Sequence, residues 1–144
     1  MKREIRFRAW HKELLDMTYS FNDYDKKALS TFFLKIDTYP EQYELQQFTG
    51  LKDKNGVDIY EGDVVKIKKG HKQHTKSKWV VGFNCGSFGV FKDGVFLDSN
   101  YTSFINYRDH CEQNLVSADI SKHIEVIGNI YQNPELLTPL TNLK

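Results

Sequence analysis

The residues of this 144-residue chain with the most versatile chemistry are five histidines and two cysteines. Cys85, His110, Cys111 and His123 are the set that a zinc site would draw on. Zinc ligands usually come in pairs about two to four residues apart, so that one turn orients both. Only His110 and Cys111 are close in sequence, and adjacent side chains on a helix or strand point apart. The spacing therefore supports neither a metal nor any other cofactor. A cysteine nucleophile needs an imidazole within hydrogen-bond reach and a third group to orient it, and no spacing in the chain specifies such a set. Cys111 reads better as a buried helix residue and Cys85 as a turn thiol. Asp53, Asp58, Glu61 and Asp63 gather around one hairpin and could form an acid–base pair or a cation-binding carboxylate set. Beside Asn55-Gly56 and Gly62 they read more simply as turn formers that bond their own backbone. Gly86-Ser87-Phe88-Gly89 superficially matches a phosphate-cradling loop, but it leads into a strand and not into a helix N-terminus. No catalytic residue is assigned.

One charge feature stands out. Between Val64 and Lys92 there is no acid, against seven lysines, and with an overall net charge of +1 this leaves −6 on the remainder of the chain. Lys66, Lys68, Lys69, Lys72, Lys76 and Lys78, with Trp79 and Phe83 beside them, could follow a nucleic-acid backbone and stack bases. The alternative is a solvated hairpin whose lysines block edge-to-edge strand pairing. Arginine, the residue suited to bidentate phosphate grips, is absent from the segment, and the edge-hairpin reading is the stronger.

The elements that would position these groups are mostly strands. Ile5, Phe7 and Ala9 alternate with Arg6, Arg8 and Trp10, and Met17, Tyr19 and Phe21 repeat the period, which predicts an N-terminal hairpin turning near His11–Glu13. Asn22-Asp23 could cap a short helix carrying Tyr24, Ala28, Leu29, Phe32 and Phe33 on one face, while Phe32–Ile36 could equally be a strand; the expectation is a helical turn followed by a strand. Asn55-Gly56 predicts a type I′ hairpin, and Glu61-Gly62-Asp63 a turn into a strand from Val64 to Lys68. Lys78–Phe83, then Phe88–Phe91 after Cys85-Gly86, then Val95–Leu97 after Asp93-Gly94, read as a run of short antiparallel strands, with Gly82 and Gly89 as bulges or bends. Ser103 could cap a helix whose face carries Phe104, Tyr107, Cys111 and Leu115. Ile124–Tyr131 is apolar on both faces, the pattern of a central strand.

Composition agrees. Ten Phe, eight Tyr and two Trp supply core material and favour strands. The even charge balance argues against a wholesale polyanion binder. No apolar run nears the about 18 residues of a membrane span, and the charged, alternating N-terminus is unlike a signal peptide. A reducing cytoplasmic setting with free thiols is the expectation.

Three stretches together carry a resemblance: Arg3–Trp10; Gln47-Phe48-Thr49-Gly50-Leu51-Lys52-Asp53-Lys54-Asn55-Gly56 continuing through Ile59-Tyr60-Glu61-Gly62-Asp63-Val64-Val65; and Glu125-Val126-Ile127-Gly128-Asn129-Ile130-Tyr131-Gln132-Asn133-Pro134-Glu135-Leu136-Leu137. In this order they resemble the YopX family of phage and prophage proteins. The resemblance implies a bacterial virus or integrated prophage as source and transfers no functional residue. The expected fold is mainly β, or β-dominated α+β. A small curled antiparallel barrel (45–137) packs against an N-terminal hairpin and variable segment (1–44), with one or two short helices and a frayed tail (138–144). The expected function is a non-enzymatic interaction or scaffold module, with itself as partner in a homo-oligomer, possible protein partners and no membrane. The alternatives are nucleic-acid binding through the basic hairpin and an enzyme built from the histidines, thiols or acids above.

Overall fold

The computed structural model describes residues 4–20, 28–67, 78–104 and 123–137, and the chain forms two compact units, Met1–Gly50 and Leu51–Lys144. Strands dominate in both. Among the described residues no helix is long and apolar enough to cross a membrane.

In the first unit the alternating N-terminus forms β1 (Phe7–His11), which pairs antiparallel with β2 (Asp16–Tyr19) on one side and with β3 (Tyr43–Lys52) on the other. The turn between β1 and β2 closes through the Leu15 N–H donating to the His11 carbonyl at 2.9 Å, with Leu15 at φ 52°. Arg8 and Gln46, opposite each other across β1 and β3, are both buried, and the Arg8 Nε–H donates to Gln46 Oε1 at 2.6 Å. β3 was not legible as a strand before Leu51, because buried Gln46 interrupts its apolar alternation.

The ambiguous segment is a helix. α1 runs Ala28–Thr38, so the strand expected at Phe32–Ile36 is corrected. Leu34, two residues beyond buried Phe32, is 66% exposed, which a strand with an apolar face would not allow. Phe32 and the half-buried Ile36 share a face four residues apart, as a helix requires. Phe33 meets Phe7 edge-on at 5.4 Å. Pro40 stops the helix, since it lacks the N–H that the next turn would use and disfavours helical φ/ψ at Tyr39.

In the second unit the end of β3 turns back into β4 (Asp58–Tyr60), and a curled five-stranded antiparallel sheet follows. Its strands are β5 (Asp63–Ile67), β6 (Trp79–Asn84), β7 (Ser87–Lys92), β8 (Tyr101–Ser103) and β9 (Ile124–Asn129), in the order β8-β7-β6-β5-β9. The first four form a meander, and β9 returns beside β5. One face of this sheet builds the core from Val65, Ile67, Trp79, Val81, Val90 and Ile124, joined by Ile59 of β4 and bordered by Leu51, Phe104 and Val126.

Three details depart from the sequence-based expectations. The Asn55-Gly56 hairpin is present, but only Gly56 has positive φ (80°). The Gly56 N–H donates to the Asp53 carbonyl and the Asp53 N–H to the Val57 carbonyl, which is a three-residue loop ending in a glycine bulge and not a type I′ turn. Two-residue turns with positive φ at both positions lie at Cys85-Gly86 (49° and 78°) and at Asp93-Gly94 (53° and 69°). Val95–Leu97 is not a strand. The Leu97 N–H turns back onto the Val95 carbonyl at 2.9 Å, and β7 pairs instead with Tyr101–Ser103. Finally, β6 and β7 pair without a register break, so Gly82 and Gly89 are not bulges. The Phe91 ring covers Gly82, while Tyr101 and the Thr102 carbonyl crowd Gly89 too closely for a side chain. The helix expected after Ser103, with Tyr107, Cys111 and Leu115, lies outside the described residues.

Candidate functional site

Two of the carboxylates that the sequence offers for chemistry, Asp53 and Asp63, are spent on the backbone. Asp53 is 5% exposed. Its Oδ1 accepts the Asn55 and Val57 N–H groups at 2.8 and 2.9 Å, as an aspartate at a turn does. Its Oδ2 reaches 73 residues along the chain to accept the Val126 N–H of β9 at 2.9 Å. Asp63 is 1% exposed and accepts the Tyr60 N–H at 2.8 Å across the Glu61-Gly62 turn. Gly62, at φ 81°, donates to the Val81 carbonyl and accepts from the Ile130 N–H, tying this turn to β6 and to the end of β9. Asp58 instead forms a surface pair with Lys52 at 2.5 Å. Asp53, Asp58 and Asp63 thus each face a different partner, and among the described residues no three such side chains gather as a cation site would require.

A second lock follows β9. Asn129 is 5% exposed; its Oδ1 accepts the Tyr131 and Gln132 N–H groups at 3.0 and 2.9 Å, and its amide donates to Gln132 Oε1 at 2.6 Å. Asn133 returns the pattern by accepting the Asn129 N–H at 3.3 Å. The Pro134–Leu137 turn then lies on the sheet, with Leu136 against Gly128 and Leu137 against Gly94.

The sequence-assigned basic residues separate. Lys66 is exposed on β5. Lys78 Nζ donates to the Leu136 carbonyl at 2.8 Å, so its ammonium holds the C-terminal turn. Trp79 is corrected: it is 6% exposed and belongs to the core, where its ring has no face to offer a base. The chemistry of its neighbours misled, because the β6 alternation puts Trp79 and Val81 together on the inner face. Phe83 is 54% exposed and meets Phe88 edge-on at 5.1 Å. Lys68, Lys69, Lys72 and Lys76 lie outside the described residues, as do His110 and Cys111. Cys85 is an exposed turn thiol. Among the described residues no three His, Cys, Asp or Glu side chains come together as metal ligands.

Two features had no signal in the sequence. Ser87 Oγ lies 3.1 Å from the Tyr101 hydroxyl and 2.9 Å from Ser103 Oγ, and the Tyr101 hydroxyl donates to the Ser87 carbonyl at 2.6 Å. These bonds run from hydroxyl to hydroxyl and main chain, which braces β8 against β7. The other feature is a run of consecutive exposed apolar residues, Val95, Phe96 and Leu97, at 44%, 59% and 59% exposure. Phe96 leans on Phe91 at 5.2 Å and leaves its outer face open.

The model of the YopX protein family matches residues 6–138. The chain belongs to the YopX family. No curated protein matches it. Among solved structures it is similar to protein EF1440 from Enterococcus faecalis, at 28% identity and a TM-score of 0.51, over 94% of this chain and 99% of that one. The stretches that resemble the YopX family now have physical roles: Asp53, Gly56, Gly62, Asp63, Asn129 and Asn133 shape turns and tie them to strands, and Val64, Val65 and Ile59 fill the core.

Proposed function

We propose that this YopX-family chain is a phage- or prophage-encoded, non-enzymatic interaction module, working in the bacterial cytoplasm and associating with a second copy of itself. One observation carries the reading. Asp53, Asp63 and Asn129 of the family stretches bond backbone amides, while the surface presents apolar side chains in contiguous order at Val95, Phe96 and Leu97. A run of that kind on a small domain favours a partner surface over bulk water. The first unit adds to it: Trp10 and Phe32 are buried, whereas Tyr19 and Phe33 are 51% and 37% exposed, a surplus of aromatics that its own core leaves at the surface. Phe21 lies outside the described residues. The nucleic-acid reading keeps Lys66 but loses Trp79 to the core and Lys78 to the Leu136 carbonyl.

Sedimentation velocity over a concentration series tests the proposal. The wild-type chain is expected to associate with rising concentration. A variant carrying Val95→Ser, Phe96→Ser and Leu97→Ser is expected to sediment as a monomer with its unfolding temperature little changed. A wild-type chain that stays monomeric throughout overturns it.

A further inference from the structure

The apolar pattern of Ile124–Tyr131 predicts a strand flanked on both sides, yet β9 is the last strand of its sheet. Its inner edge pairs with β5, with one register shift opposite Val64 and Val65. An outer edge of unpaired N–H and C=O groups is a template for another chain, and apolar residues on both faces make such an edge a hazard. Here that edge is filled by something other than a strand. The Val126 N–H is taken by Asp53 Oδ2 at 2.9 Å, and the Ile124 carbonyl by the Lys54 N–H at 3.0 Å. Between them Lys54 Nζ pairs with Glu125 at 3.0 Å. Further along, the Asn129 N–H is taken by Asn133 Oδ1. A turn, one carboxylate and one carboxamide thus occupy positions at which a sixth strand would donate and accept.

We propose that the Asp53-Lys54 turn is an edge plug: it closes β9 in cis against pairing with the β9 edge of a second copy. This goes beyond the self-association proposed for Val95–Leu97 and uses a different surface. Asp53 lies within one of the three stretches that resemble the YopX family, beside the hairpin loop. Oδ1 shapes the turn, and Oδ2, facing away from it, does the plugging. Glutamate would be too long to do both, and asparagine could do only the first.

The test uses the full chain carrying Val95→Ser, Phe96→Ser and Leu97→Ser, so that the two associations are read separately. Into it goes Asp53→Asn, which keeps the Oδ1 acceptor for the turn and turns an amide donor toward the Val126 N–H. At a dilution where the variant is still monomeric, amide exchange at Val126 is expected to quicken by about tenfold or more, since the bond protecting it is lost, while Val65 and Val81 in the core stay protected. The same variant is expected to sediment as concentration-dependent dimers or larger species where its parent is monomeric. Asp53→Ala, which removes both oxygens, should associate more strongly still. Unchanged protection at Val126 overturns the proposal, as does a variant that opens at Val126 and remains monomeric at every concentration.

Discussion

At the scale of single residues, the polar groups that looked most like chemistry are the ones most firmly committed to structure. Asp53 satisfies three main-chain amides and Asn129 two, each at no more than 5% exposure. A buried amide deprived of its acceptor costs its desolvation, about 1–3 kcal/mol. Asn129→Ala strands the Tyr131 and Gln132 amides and removes the donor to Gln132. It is expected to lower stability by about 1 kcal/mol, since Tyr131 is half-buried and Gln132 exposed and water replaces part of what is lost, read as a fall in the urea midpoint with an unchanged slope. A loss within about half a kcal/mol, the usual range for surface changes, would show that the turn after β9 does not need its side-chain lock. The thiol at Cys85 has no comparable role: it is exposed at a tight turn, and its bond to Asn84 is a weak sulfur contact at 3.6 Å.

At the scale of elements, what the sequence made legible is what has local causes. The N-terminal hairpin, the hairpin at Asn55-Gly56 and the turn at Glu61-Gly62-Asp63 are each written in alternation and turn residues. What it concealed depends on tertiary partners. The return of Val95–Leu97 to β7 fails because the chain bends back on itself, and the pairing place is taken by Tyr101–Ser103, four residues past Leu97. β9 reads as central because it is apolar on both faces, and only the long-range bond to Asp53 reveals how an edge strand tolerates that pattern. Trp79 sits beside lysines in sequence but on the inner face of β6 in space, so a stacking role legible from proximity was wrong. Helix α1 was undecided because Phe32–Ile36 is short and almost continuously apolar, and the exposure of its residues now discriminates. Phe32→Ala is expected to cost about 3–5 kcal/mol, as for a buried aromatic. Leu34→Ala, two positions on and 66% exposed, is expected to change stability by no more than about half a kcal/mol. Comparable losses at both sites in thermal or urea unfolding would contradict the helical assignment.

At the scale of the whole molecule, a net charge of +1 supplies little long-range pull on a polyanion, whatever the local lysine segment does. Contiguous apolar surface is the feature that asks for a partner. If the Asp53-Lys54 turn closes β9 as proposed, that strand edge is not the place for a partner, and the proposed self-association falls to Val95–Leu97. Hydrogen exchange of the wild-type chain, compared at dilute micromolar and at submillimolar concentration, locates that surface directly. The account predicts added protection at Val95–Asn100 on concentration, with the Val126 amide unchanged because its Asp53 bond is already made in the single chain. Identical exchange of Val95–Asn100 at both concentrations, or protection gained at β9 instead, would contradict it.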